Sequence, residues 1–226
     1  MKSISESEKT RRAKQDKHVS RQILYEIVLL LALTFVAQFL RQDIRMIFTF
    51  APLIYFFIEH YARRRTWADA GFNLRAFPQA LASNWILILL VSVIIQFIVV
   101  LAAKAWMPEF IDHVVARLPF AVDQIANYLP ILLVGALFEE LSFRVLFQER
   151  LSWFIPTPIA IGIVSVVFGI GHWSSGNPLI VLIDVILVIV DSTFYGIIFA
   201  RSKNIYATWL THFLANLFAM GLVILI

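Results

Sequence analysis

The sequence predicts an all-α protein, a polytopic transmembrane helical bundle of about seven spans, and three observations support this fold class. First, 60% of the 226 residues are hydrophobic and only 15% are charged, which is too few polar groups to cover the surface of a soluble domain. Second, several apolar runs approach or exceed the roughly 20 residues that a spanning helix needs. Third, the basic residues concentrate in segments that fall on one side of the membrane when the spans alternate in direction.

The spans can be placed from the breaks between the apolar runs. Basic turns, prolines and the polar turn at 174–178 separate the runs, as is typical of short connections between helices. A polar-aromatic linker is predicted at 66–78, and an interfacial segment or loop at 107–127. The predicted spans, each apolar over most of its length, are 23–40, 44–61, 84–106, 128–151, 158–172, 179–200 and 205–226.

The basic residues predict the orientation and the domain division. Residues 1–22 hold seven basic and three acidic residues, a net charge of +4, and such a tail before an apolar run indicates a cytoplasmic N-terminus rather than a nucleic-acid site. Loops 63–75 and 201–203 are also basic and fall on the same side, whereas 104–123 is acidic overall and falls outside. We therefore expect a basic cytoplasmic tail followed by a single multi-pass domain, 23–226, in the plasma membrane.

Two adjacent carboxylates and a guanidinium interrupt the predicted span 128–151. Glu139, Glu140 and Arg144 lie near its middle, where insertion scales put each charge at roughly 2.5–3.5 kcal/mol, so the cluster predicts a functional site that faces the bundle interior. Glu140 and Arg144 are four residues apart on one helix face, which predicts an internal ion pair. Glu139 lies about 100° round the helix and stays available as a general base.

Two histidines and an amide on other spans complete the predicted site. His172 follows two closely spaced glycines, which permit close approach between helices. His212 and Asn216 share one face of the last span. Counting residues from the helix ends places Glu139 and His172 within about 1.5 Å of the same depth, but His212 about a dozen Å nearer the cytoplasm. Helix tilt or an extended connection must close that gap.

These side chains suit two kinds of hydrolytic site. Glu139, His172 and His212 are suitable ligands for a divalent metal, zinc in particular, with an open position for water. Without a metal, Glu139 and His172 would activate the water while His212 and Asn216 stabilise the developing oxyanion. The H-E-x-x-H metalloprotease signature is absent, and the lack of cysteine excludes thiolate ligands and cysteine nucleophiles. The sequence leaves both versions open.

Two further acids lie inside the predicted span 179–200. Asp184 and Asp191 are seven residues apart and therefore lie near one helix face. They either line a water path to the site or buffer a proton, or else they pair with Arg, Ser or Thr groups elsewhere in the bundle, and the sequence favours neither reading.

The order and spacing of the polar residues resemble the CPBP family of intramembrane proteases, which includes the CAAX-processing Rce1-type enzymes and many bacterial membrane proteins. The resemblance spans about 125–220, and Ala70-Gly71-Phe72 is similar to a short upstream signature of the family. The family motifs E-E-x-x-x-R, F-x-x-x-H and H-x-x-x-N/D are matched in turn by Glu139, Glu140 and Arg144, by Phe168 and His172, and by His212 and Asn216.

The resemblance implies hydrolysis of a peptide bond within the membrane. Eukaryotic relatives cut prenylated CAAX tails, whereas bacterial relatives are linked to bacteriocin immunity or peptide maturation, so the family does not define the substrate here. By this resemblance Glu139 is the catalytic carboxylate, and His172 is its partner or a metal ligand. Glu140 and Arg144 form an ion pair that holds the helix. His212 and Asn216 serve as ligands or as oxyanion stabilisers.

Three classes of function compete for this sequence. The favoured one is an intramembrane endopeptidase, with or without a metal, that acts on a hydrophobic or prenylated peptide or a lipidated protein in contact with membrane lipid. The second is a non-enzymatic immunity or scaffolding factor on the same fold, and the third is a small transporter or proton relay. A scaffold has no need of both Glu139 and His212, and the inverted repeats of a transporter are not evident in the sequence.

Overall fold

The computed structural model describes residues 6–40, 42–116 and 125–225, and all regular secondary structure in those ranges is helical. The predicted all-α class is therefore confirmed. The helices, in chain order, are α1 (Glu6–Ala37), α2 (Gln42–Ala62), α3 (Phe77–Trp106), α4 (Pro108–Ala116), α5 (125–151), α6 (Thr157–Ile170), α7 (Pro178–Ser202) and α8 (Ile205–Leu225). Helix α3 contains a π-helical turn at Leu90–Ile94, and α5 is π-helical over Leu141–Gln148.

The helices carry the apolar surfaces that a membrane protein needs. Counted within the described residues alone, α3, α7 and α8 are long and apolar enough to cross a membrane, and α6 is apolar but shorter. Outward-facing side chains such as Trp85, Ile98 and Leu179 are exposed, as expected for helices that contact lipid rather than water. Each predicted span overlaps a helix, and the predicted polytopic bundle is confirmed.

Two helices in the N-terminal half begin earlier than predicted. α1 begins at Glu6, so that 6–22 of the predicted tail is helical and continuous with the first span, because neither Gly nor Pro interrupts the run. α3 begins at Phe77 rather than at 84. Pro78 is compatible with this start because the first turn of a helix leaves its backbone N–H groups without intrahelical partners. The predicted linker is correspondingly shorter.

Two boundaries near the predicted site also differ from the sequence prediction. The segment predicted as interfacial, 107–127, contains helix Pro108–Ala116, and its part 117–124 lies outside the described residues. α6 ends at Ile170 instead of running to His172. His172 therefore lies in the turn that follows the helix, where its backbone N–H donates to the carbonyl of Gly169.

The apolar side chains pack into separate buried clusters. One cluster joins α1, α2, α5 and α6 with Phe199 of α7 and Ile205 of α8, and Phe56, Val145 and Val164 are completely buried in it. Another joins α3, α7 and α8 around Val91 and Ile198, which are equally buried. Glu140 and Arg144 of α5 are fully buried in this apolar interior, where each charge needs a partner.

A buried carboxylate gathers three arginines at the end of α2. Glu59 is 3% exposed and accepts hydrogen bonds from Arg63 (3.2 Å), Arg65 (2.6 Å) and Arg150 (3.2 Å). The guanidinium groups of Arg65 and Arg150 also lie 4.9 and 4.6 Å from the ring centroid of Trp153, within the range of cation–π attraction. This network joins α2 to the C-terminal end of α5.

The linker before α3 holds the turn between α7 and α8. The backbone N–H of Ile205 donates to the carbonyl of Gly71 at 3.0 Å, and Asn204 Nδ2 donates to the carbonyl of Asn73 at 2.7 Å. Gly71 has φ +80°, and a Cβ atom there would lie 3.0 Å from the carbonyl oxygen of Lys203. Only glycine allows both the left-handed backbone and this close approach. The linker thereby fixes the start of α8, the helix that carries His212.

We predict that Gly71→Ala destabilises the fold, because alanine at positive φ costs about 1–2 kcal/mol and its Cβ presses on the α7–α8 turn. The measurement is the thermal unfolding midpoint in detergent, which should fall by several degrees. Gly162→Ala is the matched control, since an added Cβ there meets nothing within 4 Å. Equal midpoints for the two variants would contradict the proposed close contact.

Candidate active site

Glu140 and Arg144 form a fully buried ion pair in the middle of α5. Both side chains have 0% exposure, and Arg144 Nε donates to Glu140 Oε2 at 3.2 Å. One terminal nitrogen of Arg144 donates to the Ser192 hydroxyl on α7 at 2.7 Å. The ring of Phe168 lies 5.8 Å from the guanidinium carbon. The guanidinium is therefore satisfied by groups from three helices, as a buried charge requires.

Glu140 also holds His212, a contact that the sequence analysis did not anticipate. His212 Nδ1 lies 2.9 Å from Glu140 Oε1 and its Nε2 lies 3.5 Å from Glu139 Oε2. The imidazole is 4% exposed. A single histidine on α8 thus bridges two consecutive carboxylates of α5, and one of those carboxylates also binds Arg144.

The predicted depth of His212 is wrong, and the π-helical part of α5 accounts for a part of the difference. The count from the helix ends assumed α-helical rise throughout, but over Leu141–Gln148 the backbone N–H groups reach five residues back, as Glu149 does to Arg144. A π-helical turn holds more residues than an α-helical turn and so advances less along the axis. Glu139 and Glu140 consequently lie closer to the level of His212 than an ideal helix would place them.

His172 and Glu139 line one cavity of about 600 Å³. His172 Nδ1 lies 2.9 Å from the carbonyl oxygen of Phe168; because a carbonyl only accepts, this contact assigns the proton to Nδ1. The Glu139 side chain is 40% exposed, in contrast to its fully buried neighbour. The cavity lies among α1, α2, α5 and α6, and most of the other side chains around it are apolar, including Phe50, Leu53, Ile131, Val134, Phe138 and Phe143.

Asn216 lies in a different place from the one that its predicted role requires. It lines a second cavity of about 270 Å³ together with Gln96, Asp184 and Asp191, and it is not among the described residues around the Glu139 cavity. Gln96 Nε2 donates to Asp191 at 3.0 Å, and His113 Nε2 lies 3.5 Å from Asp184. Both acids line this second cavity, and an amide and an imidazole are among the groups that contact them.

The predicted zinc ligands do not form a ready-made metal site. Within the residues that the structure describes, no three His, Cys, Asp or Glu side chains lie close enough together to hold a metal ion. Glu139 and His212 are adjacent, but Nδ1 of His212 faces Glu140 and Nδ1 of His172 faces a backbone carbonyl. The three-ligand set Glu139, His172 and His212 stays a prediction, and the reaction proposed below uses the side chains alone.

The C-terminal half of the chain is similar to a known protein family. Residues 121–218 match the family model described as type II CAAX prenyl endopeptidase Rce1-like. This segment is Rce1-like. The match confirms the resemblance predicted from the sequence, and it includes all three motifs on α5, on α6 with its following turn, and on α8. No curated protein and no solved structure matches the chain significantly. The Rce1-like family is a family of CAAX-type intramembrane proteases, and the apolar helices agree with a location in the membrane.

We predict strong coupling between Glu140 and Arg144 in a double-mutant cycle of Glu140→Gln and Arg144→Gln. Each single change leaves a buried charge without its partner and should cost about 3–5 kcal/mol. The double variant should be less destabilised than the sum of the single variants by about 1–3 kcal/mol. The measurement is unfolding by denaturant in detergent micelles.

The exposed pair formed by Glu149 and Lys203 provides the control cycle, because the Lys203 side chain is 53% exposed. Coupling there should be about 0–1 kcal/mol. Additive effects of Glu140→Gln and Arg144→Gln, with no more coupling than in this control, would show that the buried pair does not act as a unit.

Proposed function

We propose that the chain is an intramembrane endopeptidase that hydrolyses a peptide bond of a membrane-associated peptide. The observation that carries the proposal is the position of Glu139. This carboxylate is half-exposed on the wall of an apolar cavity of about 600 Å³. His172 lines the same cavity, and His212 lies 3.5 Å behind the carboxylate. A carboxylate that can exchange protons thus faces an apolar cavity. Ligand sites usually combine apolar walls with a few polar groups in this way.

The proposed reaction begins with a water molecule between Glu139 and the carbonyl carbon of the substrate. Glu139 takes one proton from the water as the oxygen attacks the carbon, and the tetrahedral intermediate carries the charge on the former carbonyl oxygen. The C–N bond then breaks, and Glu139 returns the proton to the leaving amine nitrogen. General acid–base catalysis of this kind contributes about 10²- to 10⁴-fold.

The histidines have separate parts in this scheme. His212 keeps Glu139 in place through Nε2, while Glu140 holds the opposite ring nitrogen. His172 directs its Nδ1 proton to the Phe168 carbonyl and lines the same cavity as Glu139, so it is positioned to assist Glu139 in proton transfer. Asn216 lines the second cavity. It can act as the predicted oxyanion donor only if substrate binding moves its side chain to the Glu139 cavity.

The cavity supports a hydrophobic substrate. Its walls are mostly apolar and come from four helices, so a peptide that carries a lipid group or an apolar segment gains free energy by entering it. The family description names prenyl endopeptidases, and we propose a prenylated or otherwise hydrophobic peptide, or a lipidated protein, as the substrate class. Bilayer lipid is the expected surrounding partner, and we propose no nucleic-acid partner.

The proposed location is the plasma membrane, with the N-terminus in the cytoplasm. Arg63, Arg64 and Arg65 follow α2, and Arg201 and Lys203 lie at the end of α7. The contact between the linker and the α7–α8 turn places these basic segments on the same side of the bundle. Positive residues concentrate on the cytoplasmic side of membrane proteins, which supports this orientation.

We predict that Glu139→Gln lowers cleavage of prenylated and plain test peptides by about 10²- to 10⁴-fold, because the amide cannot take a proton from water. The assay uses detergent-purified protein, and the unfolding midpoint should stay within a few degrees of the wild type. Glu109→Gln on the exposed face of α4 is the matched control. Undiminished cleavage by Glu139→Gln would show that Glu139 is not the general base.

The same comparison separates the enzyme from the alternative, a non-enzymatic immunity or scaffolding factor. A scaffold would retain its protective phenotype in cells when Glu139 is replaced by Gln, whereas an enzyme would lose it. Metal analysis of the same purified protein tests the predicted zinc set.

We predict that Gly135→Leu weakens substrate binding without harming the fold. Gly135 lines the Glu139 cavity, and an added Cβ there meets nothing within 4 Å, so a larger side chain fills space that the substrate would use. We expect kcat/KM to fall roughly 10-fold or more, mainly through a higher KM. Gly162→Leu is the control, because Gly162 is equally unobstructed but does not line the cavity. Equal kcat/KM values for Gly135→Leu and Gly162→Leu would show that the substrate does not bind in the Glu139 cavity.

A further inference from the structure

Tyr195 on α7 stacks on the imidazole of His212. The two ring centroids are 4.6 Å apart and the ring planes differ by only 19°. Tyr195 is 2% exposed, so the stack is closed to lipid and water. Phe168 contacts the same imidazole edge-on, with centroids 6.0 Å apart and planes at 80°. His212 is therefore packed between aromatic rings from two other helices.

The hydrogen bond to Glu140 does not by itself fix the plane of the His212 ring. It anchors Nδ1 at 2.9 Å, but the second side-chain torsion of histidine has a broad energy profile, so the ring can still swing about that anchor. A parallel aromatic neighbour at 4.6 Å opposes this swing, because tilting the ring would bring it into contact with Tyr195. The direction of Nε2 then depends on both contacts.

The backbone around Tyr195 is itself held firmly against α5. Gln148 Nε2 donates to the carbonyl of Gly196 at 2.9 Å. A Cβ atom at Gly196 would lie 2.8 Å from Gln148 Oε1 and 2.9 Å from a side-chain carbon of Ile161. The absence of a side chain at Gly196 thus lets α7 lie close to α5 and α6 at this level. The backbone that carries Tyr195 is therefore fixed relative to α5 and α6, so the Tyr195 ring can hold the His212 imidazole in place.

We propose that Tyr195 is a positioning residue for the hydrolysis, and that its ring holds the imidazole of His212 in the orientation that directs Nε2 at Glu139. This inference rests on the proposed function. Tyr195 is not among the described residues that line the Glu139 cavity, so it acts through His212 and not through contact with the substrate. Its effect falls on kcat rather than on KM.

The kinetic test compares Tyr195→Leu, which removes the flat ring, with Tyr195→Phe, which keeps it. Tyr195→Leu should lower kcat about 10- to 100-fold, with KM changed by less than about twofold, because small misplacements of a catalytic group have effects of this size. Tyr195→Phe should retain near-wild-type kcat. Phe199→Leu is the matched control, since Phe199 is an equally buried aromatic residue one turn later on the same helix.

Three kinetic outcomes would overturn the inference. Wild-type kcat in Tyr195→Leu would show that the stack is unnecessary. An equal loss in Phe199→Leu would indicate general loosening of the core. A loss in Tyr195→Phe as large as in Tyr195→Leu would show that the hydroxyl, and not the ring, matters.

A spectroscopic measurement separates this inference from the proposed function. The protein has five histidines, and labelled histidine with a His212→Gln variant assigns the His212 signals in detergent micelles. The ring protons of His212 should be shifted upfield by the Tyr195 ring current in the wild type, in Tyr195→Phe and in Phe199→Leu. This contribution should be lost in Tyr195→Leu, where only the edge-on ring of Phe168 remains. Absence of the shift in the wild type would overturn the stacking whatever the activity. Absence of cleavage with the shift intact would count against the hydrolysis alone.

Discussion

The arrangement of this bundle depends on one carboxylate that serves two partners. Glu140 has no exposed surface and binds Arg144 on its own helix and His212 on α8. A buried charge is costly unless it is fully paired, so neither α8 nor the guanidinium can move away without leaving an unmatched charge. Because Arg144 also reaches Ser192 on α7, one carboxylate fixes three helices relative to one another.

The two consecutive acids of α5 have different environments, and this difference separates structural from chemical roles. Glu140 faces the packed interior, whereas Glu139 faces an apolar cavity and is 40% exposed. A helix turns by about 100° per residue, so neighbours in sequence point in different directions. His212 contacts both carboxylates, which links the rigid interior to the group that is proposed to meet the substrate. The apolar cavity and the more polar cavity near Asn216 are distinct spaces, and only the first includes Glu139.

The sequence was sufficient for the features that depend on composition and short spacing. Apolar run length predicted the spans, and the four-residue spacing predicted the contact between Glu140 and Arg144. The features it missed depend on how helices meet. The contact of His212 with Glu140 could not be predicted by counting residues, because the counting does not fix how two helices are placed against each other, and the π-helical stretch Leu141–Gln148 adds to the error. Asn216 shares a helix face with His212 but lines another cavity, which is a matter of tertiary packing that helical periodicity cannot resolve.

The π-helical stretch of α5 also makes this part of the gene uneven in its tolerance of length changes. A π-helical turn contains about one residue more than an α-helical turn, so removal of a single codon within 141–148 lets the wide turn close to ordinary α-helical winding. The parts of α5 on either side then keep nearly the same rotational register. In an ordinary α-helical stretch the same deletion rotates everything before it by about 100° relative to everything after it. One codon lost at 141–148 therefore leaves Glu139 and Glu140 directed much as before, whereas one lost from regular helix does not.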